Sequence, residues 1–142
     1  MNINNEVQKI LKKYSNGYVD PFSIVKSMNI ILIKEDLGKT NGFYYEYKRN
    51  RIIGINSNLN EREQRRVCSH ELGHAVLHEG MNYPFLCKKA FFVSSKYEKQ
   101  ADLFAINLLL SEYDAYELKE FTFQDISNIT AYPLKYVQKL LN

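Results

Sequence analysis

The 142 residues predict an α+β fold, a small antiparallel three-stranded sheet packed against a helical bundle. Two observations carry this. Between residues 30 and 56, three short segments rich in β-branched and aromatic residues follow one another, each bounded by Gly, Asn or charged turns. On either side of them, apolar residues recur at helical intervals. The length suits one domain spanning 1–142, and apolar (45%) and charged (25%) fractions are those of globular rather than disordered chains.

Taken in order, residues 4–14 place Val7, Ile10, Leu11 and Tyr14 at helical spacing, which predicts an amphipathic helix. Asp20-Pro21 starts a second helix through Ile24, Val25 and Met28, with Pro in the first turn. IILIKED (30–36), GFYYEYK (42–48) and RIIGIN (51–56) are the strands, and the tight K-R-N segment at 48–50 makes the last two a hairpin. Asn60, with Glu63 three residues on, forms a capping-box pattern for a helix expected to run through His78 to about Gly80. A loop with Asn82 and Pro84 follows. From Ser94 or Ser95 a long helix carries Glu98, Ala101, Asp102, Ala105 and Leu109 towards Glu120. Two short helices, near 123–129 and 133–141, complete the chain.

Composition narrows the function classes. The formal charge of +3 is mild, with its basic excess in the first two-thirds, and does not require a nucleic-acid partner. MNINNEVQKILKKYS has no long apolar core and no small-residue cleavage site, so it is not read as a signal peptide, and no apolar run approaches a membrane span. Cys68 and Cys87 have neither zinc-knuckle nor redox spacing, and read as free thiols in a reducing cytosol. The expected location is cytoplasmic.

HELGHAVLH (70–78) holds all three histidines. Positions four apart on a helix lie nearly above one another, so His70 and His74 can converge on one ion, and Glu71 can reach a water bound to it. Three protein ligands plus one water make an open zinc site, in which a carboxylate takes the water's proton and the resulting nucleophile attacks a polarised carbonyl. H-E-x-x-H is the zinc-protease signature for this reason, although a solvated helical face would read the same way. His78 lies a further turn along the same helix, about 12 Å of axial rise from His70, too far to share an ion. It is expected behind the ligands or at the helix end.

YEKQADLFA (97–105) supplies the rest. Glu98 and Asp102, four apart, share a face of the next helix. Glu98 could complete a His, His, Glu set, and Asp102 could accept a hydrogen bond from the distal N–H of a ligating histidine. Ala101 and Ala105 would let the two helices approach closely. The plainer alternative is that Ser95 and Glu98 form a capping box and Asp102 faces water.

HELGHAVLH followed by E-x-x-A-D-x-F-A, with RIIGINSNLNEREQRRVCS before it, resembles the ImmA/IrrE family of zinc metallopeptidases over residues from about 20 to 112. The resemblance implies His70, His74 and Glu98 as ligands of one Zn2+ per chain, Glu71 as general base and Asp102 behind the ligands. Val67-Cys68-Ser69 stands where many relatives carry a bulkier aromatic and small residues. The resemblance also implies an intracellular endopeptidase, often of phages and mobile elements, that cleaves a helix-turn-helix repressor. An extended peptide could add to a sheet edge beside the helix, for which GFYYEYK is the candidate. Tyr97, Tyr44 and Tyr45 could each assist at the oxyanion, and the sequence does not choose among them.

Two other readings stand beside this one. TFQDISNITAYPLKYVQKLLN resembles a helix-turn-helix, but residues 121–142 hold only Lys135 and Lys139 as cations, and Ile126, Ile129, Leu134, Val137 and Leu140 suit packing; helical closure is expected, not DNA binding. Alternatively a metal-containing module sequesters a repressor without cutting it, against which Glu71 argues, since a structural site needs no base. Manganese or iron would also suit two imidazoles and a carboxylate, with zinc the expected occupant.

Overall fold

Five helices among the described residues start where a local side chain accepts from one of the first free amides, while the last helix follows Pro133 without a side-chain cap. A computed structural model describes residues 1–15, 17–80 and 96–142 in full, and of residues 85–88 the backbone alone. Helix α1 (Ile3–Tyr14) is capped by Asn2, and α2 (Pro21–Ser27) by Asp20, whose carboxylate accepts from Phe22 N at 3.0 Å. The strands are β1 (Ile31–Glu35), β2 (Thr40–Tyr47) and β3 (Asn50–Asn56). Helix α3 (Glu61–Leu77) begins at Asn60 with the expected capping box to Glu63, and His78 is its C-cap.

The class is α+β, as the patterning predicts, but the sheet differs from the expected one. β2 and β3 form the antiparallel hairpin, turned by Lys48 and Arg49, both at positive φ (48° and 68°), the backbone sign of a two-residue hairpin turn that follows strand twist. β1, however, pairs with β3 in parallel, Ile31 against Ile52 through Glu35 against Asn56, so the sheet is mixed. A parallel pair needs a crossover; here β2 intervenes in sequence and lies on the far side of β3. A further strand, β4 (Phe85–Lys88), pairs antiparallel with β2, in a stretch read from sequence as loop. The order is β1-β3-β2-β4, so β2 is interior over Thr40–Tyr44, which includes the first three residues of GFYYEYK, and β4 occupies the edge expected of that segment.

Asn56 closes the end of β3. Its buried side chain donates to Gly38 O and Thr40 O, both at 3.0 Å, and accepts from Asn58 N, also at 3.0 Å. The chain then turns into α3 within four residues. Ile53 and Ile55 of β3, Tyr44 of β2, Val67 and Leu72 of α3, and Val7 of α1 share one core with Phe104 and Leu108 of α4 (Lys96–Leu110).

Helix α4 stops at Leu110 instead of running towards Glu120. Ser111 N and Tyr113 N bond three residues back, to Leu108 O and Leu110 O, and Asp114 opens a new helix, α5 (Ala115–Leu118), through a capping box with Glu117. That D-x-x-E signal was present in the sequence. α6 (Phe123–Thr130) and α7 (Leu134–Leu141) lie close to the expected spans. Their joint is Ala131 at φ 65°, and the pair buries Tyr132, Tyr136 and Val137 against Ala105 and Ile106 of α4. No helix among the described residues is long and apolar enough to cross a membrane. Cys68 is a buried free thiol; the Cys87 side chain, Ser94 and Ser95 lie outside the described residues.

Candidate metal centre

The 3.6-residue period puts His70 and His74 on the inner face of α3, with rings edge to face and centroids 4.8 Å apart. α4 crosses against that face because both helices are small there. A Cβ on Gly73 would lie 3.1 Å from Ala101 Cα, Ala101 O and Phe104 Cβ, so only glycine fits without pushing α4 away. This close approach brings Glu98 to the histidines: its Oε2 lies 3.2 Å from His70 Nε2, and its Oε1 and Oε2 each lie 3.1 Å from His74 Nε2. Two imidazole nitrogens and a carboxylate thus converge on one point.

Behind them, each histidine is held by its other nitrogen. His70 Nδ1 lies 2.7 Å from Asp102 Oδ1, and Asp102 is 6% exposed, so it does not face water. His74 Nδ1 lies 2.8 Å from His78 Nδ1, and His78 Nε2 lies 2.8 Å from Gln100 Oε1. A neutral imidazole has one donor and one acceptor. With Gln100 Oε1 accepting, His78 carries its proton on Nε2, its Nδ1 accepts from His74 Nδ1–H, and the lone pair of His74 Nε2 is left facing Glu98. A lone pair opposite a carboxylate calls for a cation between them.

Protonation fits that requirement. Burial, together with the nearby histidines, outweighs the attraction of Glu98 and lowers the His74 pKa to about 4, so the ring is neutral and able to ligate at pH 7. Burial works to raise Glu98, but the adjacent His70 and His74 rings prevail and hold its carboxyl well below the usual range, so it stays an anion beside them. Glu71 is fully buried, and neither carboxylate oxygen has a hydrogen-bond partner among the described residues. Desolvation, with Glu98 and Asp102 adding to it against His70, raises its pKa to about 8. A buried carboxylate without a donor is a costly arrangement that a folded chain rarely keeps without use. His70, Glu71 and His74 lie close enough to share a metal ion, and the donor set suits a divalent transition metal.

A model of the IrrE N-terminal-like domain of peptidase family M78 matches residues 25–133. The chain belongs to the ImmA/IrrE family of metallopeptidases. An uncharacterized immunity region protein 2 of Bacillus phage phi105 is 42% identical over 130 residues, 89% of this chain and 81% of the relative. The metallopeptidase ImmA of Bacillus subtilis (strain 168) is 33% identical over 110 residues, 78% of this chain and 64% of the relative, so the chain spans less than two-thirds of that protein's length. The family match extends beyond the stretch that carries the resemblance in sequence, through α6 to the turn before α7.

The three tyrosines considered for the oxyanion are placed differently. Tyr97 meets the His78 ring edge-on at 5.0 Å. Tyr44 is buried in the sheet–helix core, where burial and then Glu46 push its hydroxyl up to about 12. Tyr45 alternates to the outer face and stacks on Tyr47. Gln100, Tyr132 and Tyr136 reach the site without any signal in the sequence that singles them out. Glycine at 73, inside the H-E-x-x-H run, was the legible hint of a close helix crossing.

Proposed function

We propose that this metallopeptidase is a zinc-dependent, site-specific endopeptidase that cuts a helix-turn-helix repressor of a phage or mobile element. His70, His74 and Glu98 would hold one Zn2+, Glu71 would act as general base, and Asp102 and His78 would orient the two histidines. The observation that carries the reading is the meeting of His70 Nε2, His74 Nε2 and the Glu98 carboxylate within 3.1–3.2 Å, beside the unpartnered carboxylate of Glu71. A zinc ion there supplies Lewis acidity towards a peptide carbonyl and an attacking water.

The chain's own groups supply the proton transfers. Glu71, one residue from a proposed ligand and free of competing donors among the described residues, takes a proton from water and returns it to the departing amine. Its raised proton affinity in the metal-free site falls when a cation lies beside it, which suits a group that must both accept and release a proton near neutrality. Asp102 and His78 fix the ring planes, so the nitrogens facing Glu98 keep their lone pairs directed inward. On this side of the sheet β4, not β2, offers the open edge on which an extended substrate could pair. The repressor substrate is supported by the phage immunity-region relative and implies a cytosolic place of action.

Elemental analysis of purified wild type beside Glu98→Ala tests the site. About one zinc per chain, lost in the variant, is expected. No metal in wild type after zinc is offered would return HELGHAVLH to a helix with histidines and favour a non-proteolytic binding module. Given bound zinc, incubation with candidate repressors and mass spectrometry of the products tests the substrate.

A further inference from the structure

The C-terminal pair α6–α7, which the sequence offers as a weak helix-turn-helix, reaches the ligand histidines through one carboxylate. Asp102 Oδ1 accepts from Tyr132 OH at 2.6 Å as well as from His70 Nδ1, and Asp102 Oδ2 accepts from Tyr136 OH. Three donors therefore meet on one buried carboxylate, from α3, from the turn between α6 and α7, and from α7 itself. The turn is in its own way tied to the zinc helix. Arg66 of α3, 4% exposed, donates to Ala131 O at 2.9 Å and lies over the Tyr132 ring at 5.5 Å, and Arg62 donates to Asn128 O.

We infer that Tyr132 and Tyr136 are positioning residues of the metal centre, which set the orientation of Asp102 and through it the ring of His70. This rests on the ligand set proposed above. A carboxylate can rotate and use either oxygen; with Oδ2 engaged by Tyr136 and Oδ1 shared with Tyr132, its remaining Oδ1 lone pair is directed at His70 Nδ1. That pins the proton on Nδ1 and leaves the Nε2 lone pair towards Glu98. The α6–α7 pair so acts as the back wall of the site, with Tyr132 of the turn and Tyr136 of α7 both buried.

The test is zinc affinity of Tyr132→Phe, Tyr136→Phe and the double variant, measured by competition with a chromophoric chelator, with Asp102→Asn and His74→Ala alongside. Phenylalanine keeps the ring packing and removes only the hydroxyl. In the metal-free protein, the His70 Nδ1 proton, identified by its loss in Asp102→Asn, gives a second readout by NMR. Loss of a group that holds a ligand from behind typically weakens metal binding 10- to 100-fold, so each single Tyr→Phe is expected at roughly 3- to 10-fold and the double variant beyond either. The His70 proton signal should shift in both. Wild-type affinity and an unmoved signal in folded Tyr→Phe variants, with Asp102→Asn still weakened, would overturn this inference and leave the ligand set standing. Wild type binding zinc no better than His74→Ala would overturn the ligand set itself. Should Tyr132→Phe fail to fold, Tyr136→Phe, at the far side of the carboxylate, decides the matter.

Discussion

Gly73→Ala is the most discriminating single change outside the proposed ligands. The added methyl would sit 3.1 Å from Ala101 Cα, Ala101 O and Phe104 Cβ, against ordinary contact distances of about 3.5–4.0 Å. Two of the three atoms are backbone, so they cannot swing aside as a side-chain tip would. Relief requires α3 and α4 to separate by about 0.4 Å or more. For stability, crowding of this kind costs about 1–3 kcal/mol, while replacing glycine inside a helix returns about 1 kcal/mol, so net destabilisation is only about 0–2 kcal/mol. Metal affinity has no such compensation. His70 and His74 stand on one helix and Glu98 on the other, and a metal site tolerates about 0.2 Å in its ligand distances. Zinc affinity should therefore fall at least about tenfold in a variant that remains folded. Chelator competition gives the affinity and urea unfolding of the metal-free protein gives the stability. A folded Gly73→Ala chain with wild-type zinc affinity would refute the claim that this contact sets the ligand spacing.

Further outcomes are expected. Glu71→Gln should retain zinc at close to one per chain and lose cleavage of any substrate found, measured by elemental analysis and product mass; full activity would remove Glu71 from the mechanism. Gln100→Leu should weaken zinc binding, roughly tenfold at the low end of outer-shell effects, whereas Gln100→Glu, which still accepts from His78 Nε2, should bind at least as well as Gln100→Leu and close to wild type; equal loss in both would argue against the His74–His78–Gln100 chain. In the metal-free protein, folded Glu71 keeps a proton up to about pH 8 that the unfolded chain releases near 4.5, so stability falls as pH rises through that window. His74, lowered to about 4 from an ordinary 6.5, acts in the opposite sense between those values, where stability rises with pH. Between pH 6.5 and 8 the Glu71 effect is unopposed by His74, and thermal melts of chelator-treated protein should move down; Glu71→Gln should flatten the fall, and a wild-type profile identical to the variant would count against it.

What could be read from sequence was what is encoded locally. Asn60 and Glu63 are three residues apart and cap α3 where expected, and Lys48-Arg49 turn the hairpin as the short K-R-N segment implied. His70 and His74 needed only helical periodicity to be placed together, and Glu98 and Asp102 needed the same on α4. The partners that cross between elements were not legible. No local pattern says that Ile31 pairs with Ile52 in parallel, since either direction buries the same alternating faces. Nor does any spacing indicate that Gln100 completes a chain through His78, or that Tyr132 and Tyr136 meet Asp102 from about thirty residues away. The expected run of α4 towards Glu120 fails for a different reason: helical composition continues past Leu110, while the D-x-x-E box at Asp114 caps a new helix.

The place of β3 has a consequence for how the protein opens. It is the strand flanked by β1 on one side and β2 on the other, and five residues after its last, Asn56, the chain enters α3, which carries His70 and His74. Strands paired on both edges release their amides to exchange with deuterium only in the rarest openings. The helix carrying His70 and His74 thus follows directly on the strand expected to exchange slowest, while β4 pairs with β2 alone among the described strands and should open first. Deuterium uptake should reach β4 early, β3 last, and the amides of His70 and His74 on the timescale of β3, so the outer edge of the sheet would open many times within the lifetime of one intact site.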